Sequence, residues 1–389
     1  MVYIQSSGPT RLRPINNRRL LRRRLKWSVP LVTLLVLGAS VGLFFLIVSG
    51  KLRVNNGSHT PSASASSTAW LLQPGASTST QLVPRALDGV LVPIGQEMFV
   101  PRGVMIDNQI AARPQSGLSQ TSLVIESPVE GGITRLLAFF DATTTPPEIG
   151  PVRSSRPYFI DWAQGWHAMY FHVGGSPDAL NHLQALGKTF GNVDQIASAL
   201  YFWRSPKRSA PHNVYTNQPF MTQALIDGGL ATSTSVVAWH FVDASTSTMS
   251  AHVSSINVGY PGDARVTWKF DPSTNLYRRS QGGKKQNDSD GTPLEAHNVI
   301  VIETDGQVLD EKGRLSVRTI GSGSAIAYRD GNRYAVRWSR IANEPIRFEF
   351  DDGSEFLFDR GNTWIEVTTN DLMFAGLNTA TSTSTTSTP

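Results

Sequence analysis

The sequence predicts an α+β fold: a mixed α/β domain, then a mostly β domain, preceded by one transmembrane helix. Three observations carry this reading. Strand and helix patterns alternate over residues 89–232. Short period-two runs broken by turn residues fill 236–370. Residues 29–49 form an uncharged apolar run behind a basic segment.

The first 28 residues are polar and carry Arg11, Arg13, Arg18, Arg19, Arg22, Arg23, Arg24 and Lys26 with no acid among them. Removing those eight charges from the net +5 leaves the rest of the chain at −3, so the high pI is no argument for nucleic acid. The run 29–49, VPLVTLLVLGASVGLFFLIVS, is long enough at ~1.5 Å per residue to cross a ~30 Å hydrocarbon core. Basic residues upstream place the N-terminus in the cytoplasm and the remainder outside, as a single-pass protein of the cell membrane. A cleaved signal peptide is the alternative, with Val48-Ser49-Gly50 as a weak cleavage site. Residues 50–88 are rich in Ser, Thr and Ala and read as a flexible linker; 371–389 form a low-complexity tail. Cysteine is absent, which excludes disulfides, thiolate metal sites, cysteine nucleophiles and a lipidated cysteine.

Within 89–232, FVPRGVMI is strand-like, and SLVIE and ITRLLAFFD form a hairpin across a Pro/Gly turn. Pro157 opens a helix. HAMYFHV is a strand, after which Gly174-Gly175 turns the chain, Ser176 caps and Pro177 starts a helix that stops at Gly187. Ser176 reads as an N-cap and not as a nucleophile, because the GxSxG order is missing. QPFMTQALID is a further helix. In the second region SSINVGY, RVTWKFD, LYRRS, NVIVIET, GSAIAYRD, RYAVRWSR, IRFEFD and NTWIEV alternate as short strands. Tyr277, Tyr328, Tyr334, Trp338 and Trp364 read as packing residues.

Charges between Asp107 and Arg156 border strands and tight turns, where the backbone fixes their direction. The expectation is one cleft uniting Asp107, Arg113, Glu126, Glu130, Arg135, Arg153 and Arg156 with His172 and His212, completed by Asn108, Gln115 and Asn213. The arginines suit bidentate binding of carboxylate or phosphate. Paired carboxylates suit glycan cleavage, with Glu126, Glu130, Asp107 and His172 as catalytic candidates. Structural pairing of the acids with Arg113, Arg135, Arg153 or Arg156 is the competing account. No metal site, phosphate loop or dinucleotide fingerprint is present in the motifs, and no cofactor is expected.

The segments VMIDN, ARPQSGL, VIESPVEGGITRLLAFF, IGPVRSSRPYFIDWA, HVGGSPDAL, KRSAPHNVYTN, VTWKFDPSTNLYRRSQGG, HNVIVIET and NTWIEV follow in that order. Together they resemble the YerB-like family of bacterial surface lipoproteins over roughly residues 90–370. The resemblance implies an extracytoplasmic, two-domain protein of bacterial origin. The family is one of unknown function, so it implies architecture rather than activity. Its members commonly carry an N-terminal Cys; here the apolar run stands in for the lipid.

The first functional expectation is a membrane-anchored extracytoplasmic binding or regulatory protein of the cell envelope, with a polar cleft for an anionic or glycan-like ligand. Its partners would be the membrane, through one N-terminal helix, and peptidoglycan, another wall polymer or an envelope protein. A cell-wall glycan-cleaving enzyme and a purely structural envelope protein are the alternatives.

Overall fold

The strand Arg102–Asp107 (β1) is buried along its whole length, and the rest of the molecule is assembled around it. The structure is a computed structural model and describes residues 81–230, 236, 239–244 and 253–369. The expected basic segment 1–28, the membrane span 29–49, residues 50–80 of the linker and the tail 371–389 lie outside the described residues. No helix among the described residues is long and apolar enough to cross a membrane.

β1 pairs antiparallel with Thr134–Phe140, which forms the expected hairpin with Leu123–Pro128. In chain order Leu123–Pro128 is β2 and Thr134–Phe140 is β3. Met169–His172 (β4) and Asn192–Asp194 (β5) add parallel strands beyond β1. The helices are Pro157–Gly165 (α1), Pro177–Leu186 (α2) and Gln218–Asp227 (α3), each with Pro in its first turn. Ser176 caps α2 by accepting a hydrogen bond from the Ala179 N–H at 3.3 Å.

The second region supplies a small antiparallel sheet: Ser255–Val258 (β6), Val266–Asp271 (β7), Leu276–Gln281 (β8) and Lys284–Lys285 (β9), with Glu295–Ala296 (β10) also pairing to β8. Gly282 and Gly283, at φ 57° and 77°, make the two-residue turn from β8 into β9. The chain then forms Asn298–Thr304 (β11), Gly321–Arg329 (β12), Asn332–Arg340 (β13), Arg347–Glu349 (β14) and Thr363–Thr369 (β15).

β15 lies between β11 and β2 and is parallel to both. It joins the two sequence regions into one ten-stranded sheet, in the order β14-β13-β12-β11-β15-β2-β3-β1-β4-β5. All seven residues of β15 are buried, as expected for a central strand covered on both faces. One face carries Met105, Leu137, Phe139 and Tyr170 against α1 and α2. The other carries Val104, Val124, Leu136 and Ala138 against the small sheet and α3. The described fold also begins earlier than the linker composition suggests. Leu82–Pro84 pairs with Leu91–Pro93, and Arg85 forms ion pairs with Asp88 and Asp141.

Candidate functional site

The charged residues of the Asp107–Arg156 stretch separate into groups because strand side chains alternate between faces. On β3, Arg135 is the register partner of Asp107, whereas the neighbouring Leu136 is the register partner of Glu126. Asp107 and Arg135 therefore lie on the helix-covered face, and Glu126 lies on the face covered by the small sheet. One cleft does not hold both acids.

On the first face, the buried Asp107 Oδ2 contacts Arg153 Nε at 3.0 Å and His212 Nδ1 at 2.8 Å. Its Oδ1 accepts the Gln109 N–H at 3.1 Å. Arg135 is buried beside it and donates to the Ser154 carbonyl at 2.8 Å. Burial pulls the Arg135 guanidinium below its ordinary pKa, and Asp107 offsets this only in part. Arg208 reaches across to the carbonyls of Ala111 and Pro114, tying the loop that carries His212 to the 108–114 loop.

On the second face, Glu126 is fully buried and fully engaged. Its Oε1 accepts from Thr134 Oγ1 at 2.5 Å and from Asn108 Nδ2 at 3.0 Å. Its Oε2 is paired with Arg279 of β8. Arg279 also donates to Gln281 at 3.1 Å and lies 4.8 Å from the Trp364 ring centroid and 5.7 Å from that of Trp268. Glu366 of β15 is the register partner of Glu126. Its Oε1 accepts the Trp268 indole N–H at 2.8 Å, while its buried Oε2 has no hydrogen-bond partner. Burial first, then the adjacent Glu126 charge, pushes the Glu366 carboxyl up to about 8. Two carboxyls share one arginine, so the pair holds a proton at neutral pH.

From this hub a chain of amides runs outward. Gln115 donates to Asn108 Oδ1 at 2.8 Å and accepts from Gln286 at 3.1 Å. Beyond it opens a cleft of about 530 Å³ between the 110–114 loop and the 281–291 loop, lined by Arg113, Lys284, Lys285, Gln281, Gln286 and Asn287 among others. Arg113 donates to the Asn108 carbonyl at 2.7 Å and to the Asp263 carbonyl at 3.3 Å, so its guanidinium is fixed at the rim. Lys284 and Lys285 are exposed. Asp288, an acid of the lining, is turned inward to the Leu118 and Ser119 N–H groups at 3.2 and 2.9 Å. Ser116 and Ser289 meet at 2.8 Å and fasten the two loops together.

The remaining predicted residues are engaged with other partners. Glu130 spends both carboxylate oxygens on the Arg156 fork. His172 is buried, with Nδ1 at 2.7 Å from the Gly174 carbonyl and Nε2 at 2.7 Å from Asn192 Oδ1. Asn213 accepts from Arg204 at 2.9 Å. Neither Glu126 nor Glu130 presents a free carboxyl to the open cleft. Among the described residues no group of three or more His, Asp or Glu side chains is placed to hold a metal ion. Sequence patterns do not single out Glu366, Lys284, Lys285 or Gln286. Arg279 has a signal in the alternation of β8, since it shares the inward parity of Tyr277.

Residues 93–230 match the family described as "Protein of unknown function (DUF3048) N-terminal domain", and residues 256–365 match its C-terminal domain. The "Putative lipoprotein YerB" of Bacillus subtilis (strain 168) is 31% identical over 274 residues, covering 69% of this chain and 80% of the relative. The crystal structure of the YerB protein from Bacillus subtilis superposes with a TM-score of 0.66 at 28% identity, covering 74% of this chain and 96% of that one.

Proposed function

Because this chain belongs to the YerB-like, DUF3048 family, we propose that it is a membrane-associated extracytoplasmic protein of the cell envelope that binds an anionic, glycan-like ligand in the 281–291 cleft. The location rests on the basic segment and apolar run before residue 50 and on the description of the relative as a lipoprotein.

The observation that carries the ligand class is the lining of the cleft. Three cations, Arg113, Lys284 and Lys285, border it with three amide side chains, Gln281, Gln286 and Asn287, against two acids, the exposed Asp263 and the inward-turned Asp288. Amides supply paired donors and acceptors for hydroxyl-rich ligands, and the cations select negative charge. A cleft of about 530 Å³ is within the ordinary range for a small-molecule site. The buried hub behind it fixes the floor, since Gln286, Gln115, Asn108, Glu126 and Arg279 are joined by hydrogen bonds.

The test is calorimetric titration of the full-length chain with soluble peptidoglycan fragments, repeated with the double variant Lys284→Gln/Lys285→Gln. Binding weakened at least tenfold is expected. Equal affinity in both proteins, or no binding by either, removes the cleft from this role.

A further inference from the structure

The geometry points to a second anion site, on the opposite face of the large sheet, in which Arg153 and His212 clasp a small oxyanion of the carboxylate or phosphate-monoester class. Nothing in this inference depends on the cleft reading.

The first observation is an orienting carboxylate. Asp107 is 1% exposed; its Oδ2 is hydrogen-bonded to His212 Nδ1 at 2.8 Å and in ion-pair contact with Arg153 Nε at 3.0 Å, although that Nε makes no hydrogen bond. A carboxylate is an acceptor only, so the His212 Nδ1 carries its hydrogen toward Asp107 and Nε2 faces away. The two side chains come from different segments, one just before α1 and one from the 205–213 loop, yet they are fixed on one oxygen.

The second observation is what these side chains leave unused. The terminal amines of Arg153 and the Nε2 of His212 have no hydrogen-bond partner among the described residues, and they are not sealed from solvent. The side chains keep 28% and 17% of their surface exposed, enough for a ligand to reach them. Arg153 thus offers a planar pair of donors, the geometry that matches a carboxylate or phosphate edge. His212, held on the same carboxylate, adds its unengaged Nε2.

The third observation is the charge balance. Arg135 and Arg153 both lie by Asp107, and among the described residues neither has an ion pair with a second carboxylate. Two guanidiniums on one carboxylate leave a partly buried positive surplus. A desolvated surplus of this kind is costly until an anion offsets it. Glu130, the next acid along the chain after Glu126, is already taken by Arg156. The neighbouring 108–114 loop is held by Arg208, so the clasp is preformed rather than assembled on binding.

The experiment titrates the full-length chain with inorganic phosphate and, separately, with acetate, reading binding by calorimetry. Saturable binding of at least one of the two is expected, and the tighter one names the chemistry of the natural group. Arg153→Gln should weaken it at least tenfold and His212→Gln at least threefold, while Ser176→Ala, at the cap of α2, should stay within twofold of the parent. A thermal melt of each variant checks the fold, and Arg153→Lys, which keeps the charge but not the fork, should weaken binding at least threefold. In the unaltered chain, the ligand should also slow labelling of Arg153 by an arginine-directed dicarbonyl reagent, read by mass spectrometry. The proposal is overturned if neither anion binds, if Arg153→Gln binds as the parent does, or if Arg153 is not protected.

Discussion

Replacing Glu366 by glutamine tests the buried hub directly. Glu366 sits at 0% exposure beside Glu126, and its carboxyl is pushed up to about 8 from an ordinary 4.5. A raised carboxyl pKa means that the folded chain holds this proton more tightly than the unfolded chain does. The stabilising contribution is therefore full below about pH 4.5 and is lost as pH climbs through about 8. At ~1.4 kcal/mol per pH unit, burying Glu366 costs about 3 kcal/mol more at pH 7 than at low pH, and about 5 kcal/mol more well above pH 8, where it is buried as the carboxylate. The amide introduced by Glu366→Gln is neutral throughout. Its oxygen can accept the Trp268 indole N–H as Glu366 Oε1 does, and its amide nitrogen takes the place of Oε2. The variant should match the parent within ~1 kcal/mol at pH 4.5 and exceed it by about 3 kcal/mol at pH 7. The assay is urea unfolding of both proteins across pH 4.5–9, followed by tryptophan fluorescence. Parallel stability profiles would refute the shared-proton account.

Two other substitutions probe the same framework. Arg279→Met removes the one guanidinium paired with Glu126 and leaves a buried carboxylate uncompensated, so it should cost about 3–5 kcal/mol in urea unfolding at pH 7; a loss under ~1 kcal/mol would show that the pair is dispensable. Ser176→Ala removes the cap of α2 and should cost ~1 kcal/mol, with little effect on anion titrations, because the serine hydroxyl serves the Ala179 N–H.

Period-two alternation makes the strands legible. LVIESP and TRLLAFF fall where their apolar spacing and the Pro/Gly turn place them, and Pro157, Pro177 and Gln218-Pro219 mark the helix starts. The site is less legible, for two physical reasons. Asp107 and Glu126 both read as inward charges, but alternation sends them to opposite faces once the register of the β1–β2–β3 sheet is known, and register is a tertiary property. Glu366 gives no signal because β15 is buried on both faces, so NTWIEV has no polar side against which a misplaced acid stands out. Arg279 is readable in principle from the parity of LYRRSQ. The general expectation that arginine sits at the surface hides it.

The central position of β15 sets an order on how the protein comes into being. β11 and β2 flank a slot that only residues 363–369 fill, and those residues are the last of the described fold to be synthesised. Until they emerge, both flanking strands present open edges, the kind of surface that pairs with other chains. Contacts between residues 123–126 and 363–366 span most of the described chain, so closing the sheet is a late step and a slow one. A chain released before residue 363 would retain nearly all of both matched family segments and still lack the strand that makes them one molecule.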